Sequence, residues 1–335
     1  MRPAIKSGLL PVWRDRDTLQ IGIDPRRAIA LSGMGRAALI VGLLDGSRDR
    51  DQLVAAAAGE GIPASVTERV LALLAAGGAL DDFPASTLRA LPAPLRARLE
   101  PELATTSLAR RDGDGGARAL ARRRAAVVWI EGERAVGRAV ARILSASGIG
   151  RIRSRRLAAS DLASPARQPA ADGSAHPHPP RAGVRFTPDL VVLVGTRIAD
   201  RGAQLTRDRI AHLAVMASEA IGIVGPLVVP GKTACLRCHD YARAGNDPAW
   251  PLILAQIRTR RAEPAACDAV LTATVAAQAA AQALSAIETA PAASAAANGT
   301  LELVLPDWRW RRRTWPPHPD CPCAGKPADT RQWRS

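Results

Sequence analysis

Lysine is nearly absent from this chain of 335 residues: three of its 46 basic residues are lysine (Lys6, Lys232 and Lys326), and the others are arginine. Aromatic residues are scarce too, at 3%. Cores must therefore be built from Leu, Val, Ile and Ala, and an apolar content of 47% suffices for ordinary globular packing. The length suits two domains, or three small ones. The formal charge of +15 invites a nucleic-acid reading, but the basic clusters at 109–124 and 151–156 contain no interleaved aromatics. Only the cluster at 309–313 has them, with Trp308, Trp310 and Trp315. Arginine and alanine are spread through every segment, as the codon bias of a GC-rich genome would spread them. Specific nucleic-acid binding is not expected, whereas attraction to an acidic peptide fits the charge equally well.

Long apolar runs are missing as well. Nothing before Arg14 is apolar enough for a signal peptide, so a reducing cytoplasm is the expected compartment. Residues 269–287 carry no charge, but they are mostly Ala with Thr, Gln and Ser, and read as a buried helix rather than a membrane span.

Four of the five cysteines carry the most information. They fall as Cys235-Leu-Arg-Cys238 and Cys321-Pro-Cys323. Two close pairs far apart in sequence suit a tetrahedral zinc site that clips two distant segments together. Four thiolates leave no open position for water, so the site is expected to be structural. Disulfides and unrelated buried thiols are the bland readings. The Cys-x-Cys half is tight, and His239 or His318 could replace one sulfur. Cys267, the fifth cysteine, opens a helix whose dipole could lower a thiol pKa; a small buried residue is the simpler reading.

Residues 1–82 form a first unit, with strands at 18–23 and 27–31 and a turn at Asp24-Pro25. Helices follow at about 35–44, 49–58 (Ser47 as a cap candidate) and 64–76, then Leu80-Asp81-Asp82. Small strands, three helices and a returning edge make a winged-helix pattern, which serves DNA or peptides. Residues 83–125 are Pro- and Arg-rich and read as a linker with a helical part near 91–110. From 126 to 335 the pattern is a second domain. An apolar strand at 126–130, a Gly132-Glu-Arg134-Ala-Val-Gly137 loop, a helix to Ser147 and a strand near 151–155 form a β-α-β unit of the dinucleotide-fold type. His176 and His178 lie in a polar loop. A strand at 190–194, a helix at about 206–217, a strand pair in 222–238, helices at 248–261 and 266–288, an Ala/Pro linker at 290–299 and a strand at 301–305 complete the reading.

The glycine loop, the following strand, VGPLVVPGKTACLRC at 224–238, the Ala-rich helix and the terminal Cys-Pro-Cys arrive in a recognisable order. Residues 126–325 resemble the ThiF-like branch of the ubiquitin-activating-enzyme superfamily. With the N-terminal unit, the chain resembles the ThiF-like partner proteins that bind leader peptides in the making of thiazole/oxazole-modified microcins. The resemblance implies an α/β fold: a winged-helix-like unit, then a Rossmann-like ThiF-type domain with a zinc tetrathiolate at Cys235, Cys238, Cys321 and Cys323.

Active members of that superfamily bind ATP and magnesium and adenylate a C-terminal carboxylate. Here Arg134 stands at the middle glycine position, where its side chain would fill the space a phosphate needs. Arg155 and Arg156 stand where the family has a ribose-binding aspartate, and Gly195-Thr196 near where it has a magnesium-binding one. Asp161 and Asp200 are out of register. Gly132, Arg134 and Gly137 are therefore expected to form a degenerate nucleotide loop, with no catalytic residue. The function expected is a non-catalytic scaffold that presents a precursor's leader peptide to a YcaO-type cyclodehydratase. The rivals are an ATP-dependent adenylyltransferase and a winged-helix DNA-binding regulator. A homodimer is compatible with the sequence.

Overall fold

The computed structural model describes residues 1–82, 86–132, 134–154, 187–196, 198–259, 266–289 and 291–324. It divides into two compact units, Met1–Ala121 and Arg122–Ser335.

In the first unit, β1 (Pro3–Ile5) pairs antiparallel with β5 (Leu80–Asp82). A second sheet runs β2 (Pro11–Trp13), β3 (Leu19–Ile21), β4 (Ile29–Leu31), all antiparallel. Leu19, Ile21 and Leu31 turn inward against α1 (Leu39–Leu43), α2 (Arg50–Gly59) and α3 (Ala64–Ala76). Asp49, rather than Ser47, caps α2: its side chain accepts from the Gln52 amide, and the Gln52 side chain accepts from the Asp49 amide. In α3, Thr67, Val70, Leu71 and Leu74 are buried at helical spacing. At its end Gly77 meets Ile29 of β4, where a Cβ would stand 2.2 Å from the Ile29 Cδ1.

Residues 86–125, expected as a linker with one helical part, hold three helices. After α4 (Ser86–Arg89), α5 (Ala93–Arg110) and α6 (Ala117–Ala125) bury Leu88, Leu99, Leu103, Ala117 and Leu120 against one another. Pro94 sits in the first turn of α5, where proline starts helices, and Pro101 is carried within it.

The second unit is a seven-stranded sheet in the order β12-β11-β10-β9-β8-β6-β7. β6 (Val127–Gly132), β7 (Arg151–Ser154), β8 (Leu190–Val194) and β9 (His212–Ser218) are parallel. β10 (Ile221–Val228), β11 (Gly299–Val304) and β12 (Trp310–Thr314) are antiparallel additions. The chain leaves β6 through α7 (Arg134–Ala146) to β7 on one side and later returns to β8 on the other, so the strand order reverses at β6. One face of the sheet packs on α7 and α11 (Ala269–Glu288). Among the described residues, α11 is the one helix long and apolar enough to cross a membrane, and Leu271, Val275, Ala279 and Ala283 bury it in this core. The other face carries α8 (Ala199–Arg207), which buries Leu205 against Val191 and Leu193.

Two expectations need correction here. Residues 206–217 are not one helix: α8 ends at Arg207 and His212–Ser218 is β9. A strand buried on both faces is a continuous apolar run, and such a run also reads as helix. Residues 222–238 do not hold two strands; β10 is one strand with a register shift between Val224 and Leu227.

Candidate metal centre and the flanking sheet

Residues 229–238 leave β10 in a tight turn. The Thr233 hydroxyl accepts from the Val229 amide at 2.8 Å and donates to the Leu227 carbonyl at 3.0 Å. Cys235 is the N-cap of α9 (Leu236–Asn246), so Cys238 lies within its first turn. Cys321 and Cys323 arrive from the far side, after β12. Asn298 joins the two approaches. Its side-chain oxygen accepts from the Ala234 amide at 2.7 Å, and its carbonyl accepts from the Trp315 amide at 2.8 Å. Asn298 has a φ of 50°, a left-handed conformation that asparagine tolerates best after glycine. The Asn298-Gly299 pair was its visible signal in the sequence.

The four cysteine Sγ atoms lie within 4.8 Å of one another, with Cys235–Cys238 at 3.8 Å, Cys235–Cys321 at 3.6 Å and Cys238–Cys323 at 3.3 Å. A tetrahedral ion with bonds of about 2.3 Å needs sulfurs roughly 3.8 Å apart. The cluster can hold one metal ion. Val228, Ala234, Leu236 and Tyr241 pack around it, and Cys323 is half-buried. Hydrogen bonding with Cys235 draws the Cys238 thiol down to about 4, aided by the His318 backbone amide. The same bond pushes the Cys235 thiol up, and burial pushes Cys323 up to about 11.

No histidine substitutes for a sulfur. His239 turns away to meet Trp315 edge-on, ring centroids 4.1 Å apart, and its Nε2 is buried without a partner among the described residues. The His318 ring stacks on Tyr241 at 5.1 Å. Cys267 lies apart, half-buried just before α11, with its Sγ 3.2 Å from the Thr272 hydroxyl. His176 and His178, like Arg155, Arg156 and Asp161, lie outside the described residues.

The expected nucleotide loop sits at the carboxyl ends of β6 and β8. Gly132 has a φ of 125°, and a Cβ on it would stand 1.8 Å from the Val194 carbonyl oxygen. Close approach of β8 therefore requires this glycine whether or not a phosphate binds. Arg134 is the first residue of α7, and Gly137 packs along Ile130. A cavity of about 230 Å³ opens here, lined by Trp129, Glu131, Arg153 and Ser154. Small-molecule sites usually have roughly 300–1,000 Å³. Across the mouth, Arg201 of α8 grips Glu131 through two bonds of 2.7 and 2.8 Å, which sequence reasoning did not anticipate. Glu131 is thus paired with an arginine, and the described part of β7 carries Arg151 and Arg153.

No protein-family model matches the chain, and neither does any curated protein. Solved structures do. The heterocyclase TruD aligns over 97% of this chain with a TM-score of 0.66 at 18% identity, and E. coli MccB, solved with AMPCPP and MccA, over 97% with 0.63 at 15%. The chain has the fold of MccB. It spans all of that MccB chain but 43% of TruD, less than half. The α/β architecture and the cluster of four cysteines able to hold a metal ion, both expected from the sequence, stand on this fold and on the sulfur geometry.

Proposed function

We propose that this chain is a non-catalytic scaffold, stabilised by zinc, that binds the leader of a ribosomal precursor peptide and hands it to a YcaO-type cyclodehydratase making azoles or azolines. One observation carries the reading: β4 has a free edge beside α3. In the β2–β3 ladder the Gly22 amide donates to the Leu10 carbonyl at 2.8 Å and the Arg14 amide to the Thr18 carbonyl at 2.9 Å. By antiparallel alternation Gln20 points its backbone at β2, so Leu19 and Ile21 point theirs at β4. Ala30 is left with its amide and carbonyl on the outer edge. Gly77 brings α3 against Ile29, and Leu73, one turn earlier on the same side, is 48% exposed. An extended peptide can add as a fourth strand and set an apolar side chain against Leu73.

The likeness to TruD supports the pathway. In that heterocyclase a like fold shares one polypeptide with more than as much chain again. Zinc fits four sulfurs in a tetrahedral setting better than a harder ion does. The test is fluorescence anisotropy of a labelled leader from a neighbouring precursor gene, titrated with the full chain. Ala30→Pro removes the outward donor that an edge strand can spare. We expect capture to be lost with the fold intact, and unchanged capture would refute the β4 assignment.

One observation favours an adenylyltransferase instead: MccB, matched over its whole length, has also been solved with ATP. The Glu131–Arg201 pair and Arg134 weigh against it. ATP–pyrophosphate exchange with candidate peptides separates the two readings.

A further inference from the structure

We infer that the second unit binds a small zwitterion with an aliphatic side chain, the chemistry of free leucine or valine, in a cavity at the amino ends of β6, β8 and β9. The cavity measures about 340 Å³, against about 230 Å³ for the one at the carboxyl ends of the strands. Sites for small ligands usually have roughly 300–1,000 Å³. Every described residue that lines it belongs to the second unit. Ala125, Ala126, Ala211 and Ala286 stand where larger side chains would close it, and Leu190 and Ile287 add aliphatic wall. An apolar gap that holds nothing forfeits packing contacts.

Among the described residues, the charged ones that line the cavity are Arg122 and Asp189, both exposed. No ion pair joins them within that set; each is tied to main chain instead. An Arg122 N–H donates to the Glu288 carbonyl at the end of α11. Asp189 Oδ2 accepts from the Val127 amide at 2.7 Å, and the Asp189 amide donates to the Val127 carbonyl at 2.9 Å. One guanidinium nitrogen and one carboxylate oxygen are thereby engaged, and the rest of each group is left for a ligand. Of the charged residues nearest in sequence, Arg123 pairs with the Glu288 carboxylate at 2.5 Å, and Arg124, Asp208 and Arg209 are not part of the described lining.

A cation and an anion that share one apolar cavity, and do not pair with each other, complement a ligand carrying both charges and an aliphatic body. The ligand's carboxylate answers Arg122, whose planar guanidinium can form two parallel bonds to it, and its ammonium answers Asp189. An aliphatic acid or amine with one charge would answer only one of the two residues. None of the described lining comes from α9, which carries Cys238, or from α10 (Trp250–Thr259), which meets α9 through the Trp250 indole and Asp240. Metal content therefore serves as a control for the integrity of the unit.

The experiment is calorimetry of the full-length, metal-loaded chain with three probes: L-leucine, leucinamide, which lacks the carboxylate, and 4-methylpentanoate, which lacks the ammonium. We expect leucine to bind with a Kd below about 1 mM, and each of the other two at least about 10-fold more weakly. Arg122→Gln removes the cation; Asp189→Asn removes the anion, while its side-chain oxygen can still accept from the Val127 amide. Each should weaken leucine by about 10-fold or more with metal content unchanged. Arg122→Gln should leave the weak binding of leucinamide as it is, since that probe has no carboxylate to lose. No heat from leucine at about 10 mM, equal affinity for the three probes, or leucine binding that both variants leave intact would overturn the site. If a variant loses metal or fold, the three probes on the wild-type chain decide.

Discussion

Lys6 Nζ lies 2.5 Å from Asp81 Oδ1, and both residues are buried in the first unit. The ammonium also donates to the Ser107 hydroxyl at 2.5 Å and to its carbonyl at 3.2 Å, which uses all three of its protons. The Ser107 hydroxyl in turn donates to Asp81. One cation thereby joins β1, β5 and α5.

Removing one member of such a set leaves a buried charge unanswered. Lys6→Met should destabilise the chain by about 3–5 kcal/mol. Replacing all three groups together, as Lys6→Met/Asp81→Leu/Ser107→Ala, should recover most of that loss, because no charge is then stranded. Denaturant unfolding of the two variants checks the pair of outcomes.

Cys238→Ser should abolish metal binding. Structural zinc supplies folding energy on the order of 10 kcal/mol in small sites, so the second unit should melt at lower temperature. Elemental analysis of protein purified without chelators should find one zinc per chain, and none in the variant. Cys267→Ser should leave the metal in place.

Magnesium–ATP should bind no tighter than about millimolar, equivalent to roughly 4 kcal/mol. Calorimetry is the check. A micromolar constant would mean that Arg201 releases Glu131 on binding, and Arg201→Ala would then change the affinity.

His212 gives the second unit an acid-sensitive core. Its Nδ1 is 3.0 Å from the Ile210 carbonyl, its Nε2 is buried without a partner among the described residues, and burial holds its pKa down to about 4. An unfolded histidine takes up its proton near 6.5. Between these values the unfolded state binds more protons, so the contribution is fully present above pH 6.5 and is lost as pH falls toward 4. The full loss is on the order of 3 kcal/mol. His212→Asn, which can keep the bond to Ile210, should flatten the difference in stability between pH 7 and pH 4.5.

The metal centre was legible because its chemistry is local: each cysteine pair announces itself within four residues. α3 and α11 were legible because their apolar spacing extends over several turns. Elements without a pattern of their own were not. β2 has three residues and begins with Pro11, and β12 is Trp-Arg-Arg-Arg-Thr, an edge strand that charge keeps from pairing further. α5 and α6 looked like linker because partners distant in sequence settle their burial. Lys6 and Ser107, which meet, are 101 positions apart. For the same reason residues 1–82 are the wrong piece to isolate; 1–121 keeps Ser107 with its partners. The sequence left open which strand was the edge, and pairing decides it: β3 is central, and β2 and β4 lie outside.

The metal centre also orders events in time. A ribosome delivers Cys235 and Cys238 first, and residues 239–320 must follow before the other two sulfurs exist. Those residues include α11 and the β11–β12 hairpin, which bring Cys321 back beside Cys235. A half-site of two thiols holds an ion weakly and exchanges it. Tight retention of an ion would therefore begin only when the β11–β12 hairpin has closed, and a bound ion would mark a second unit that has finished folding.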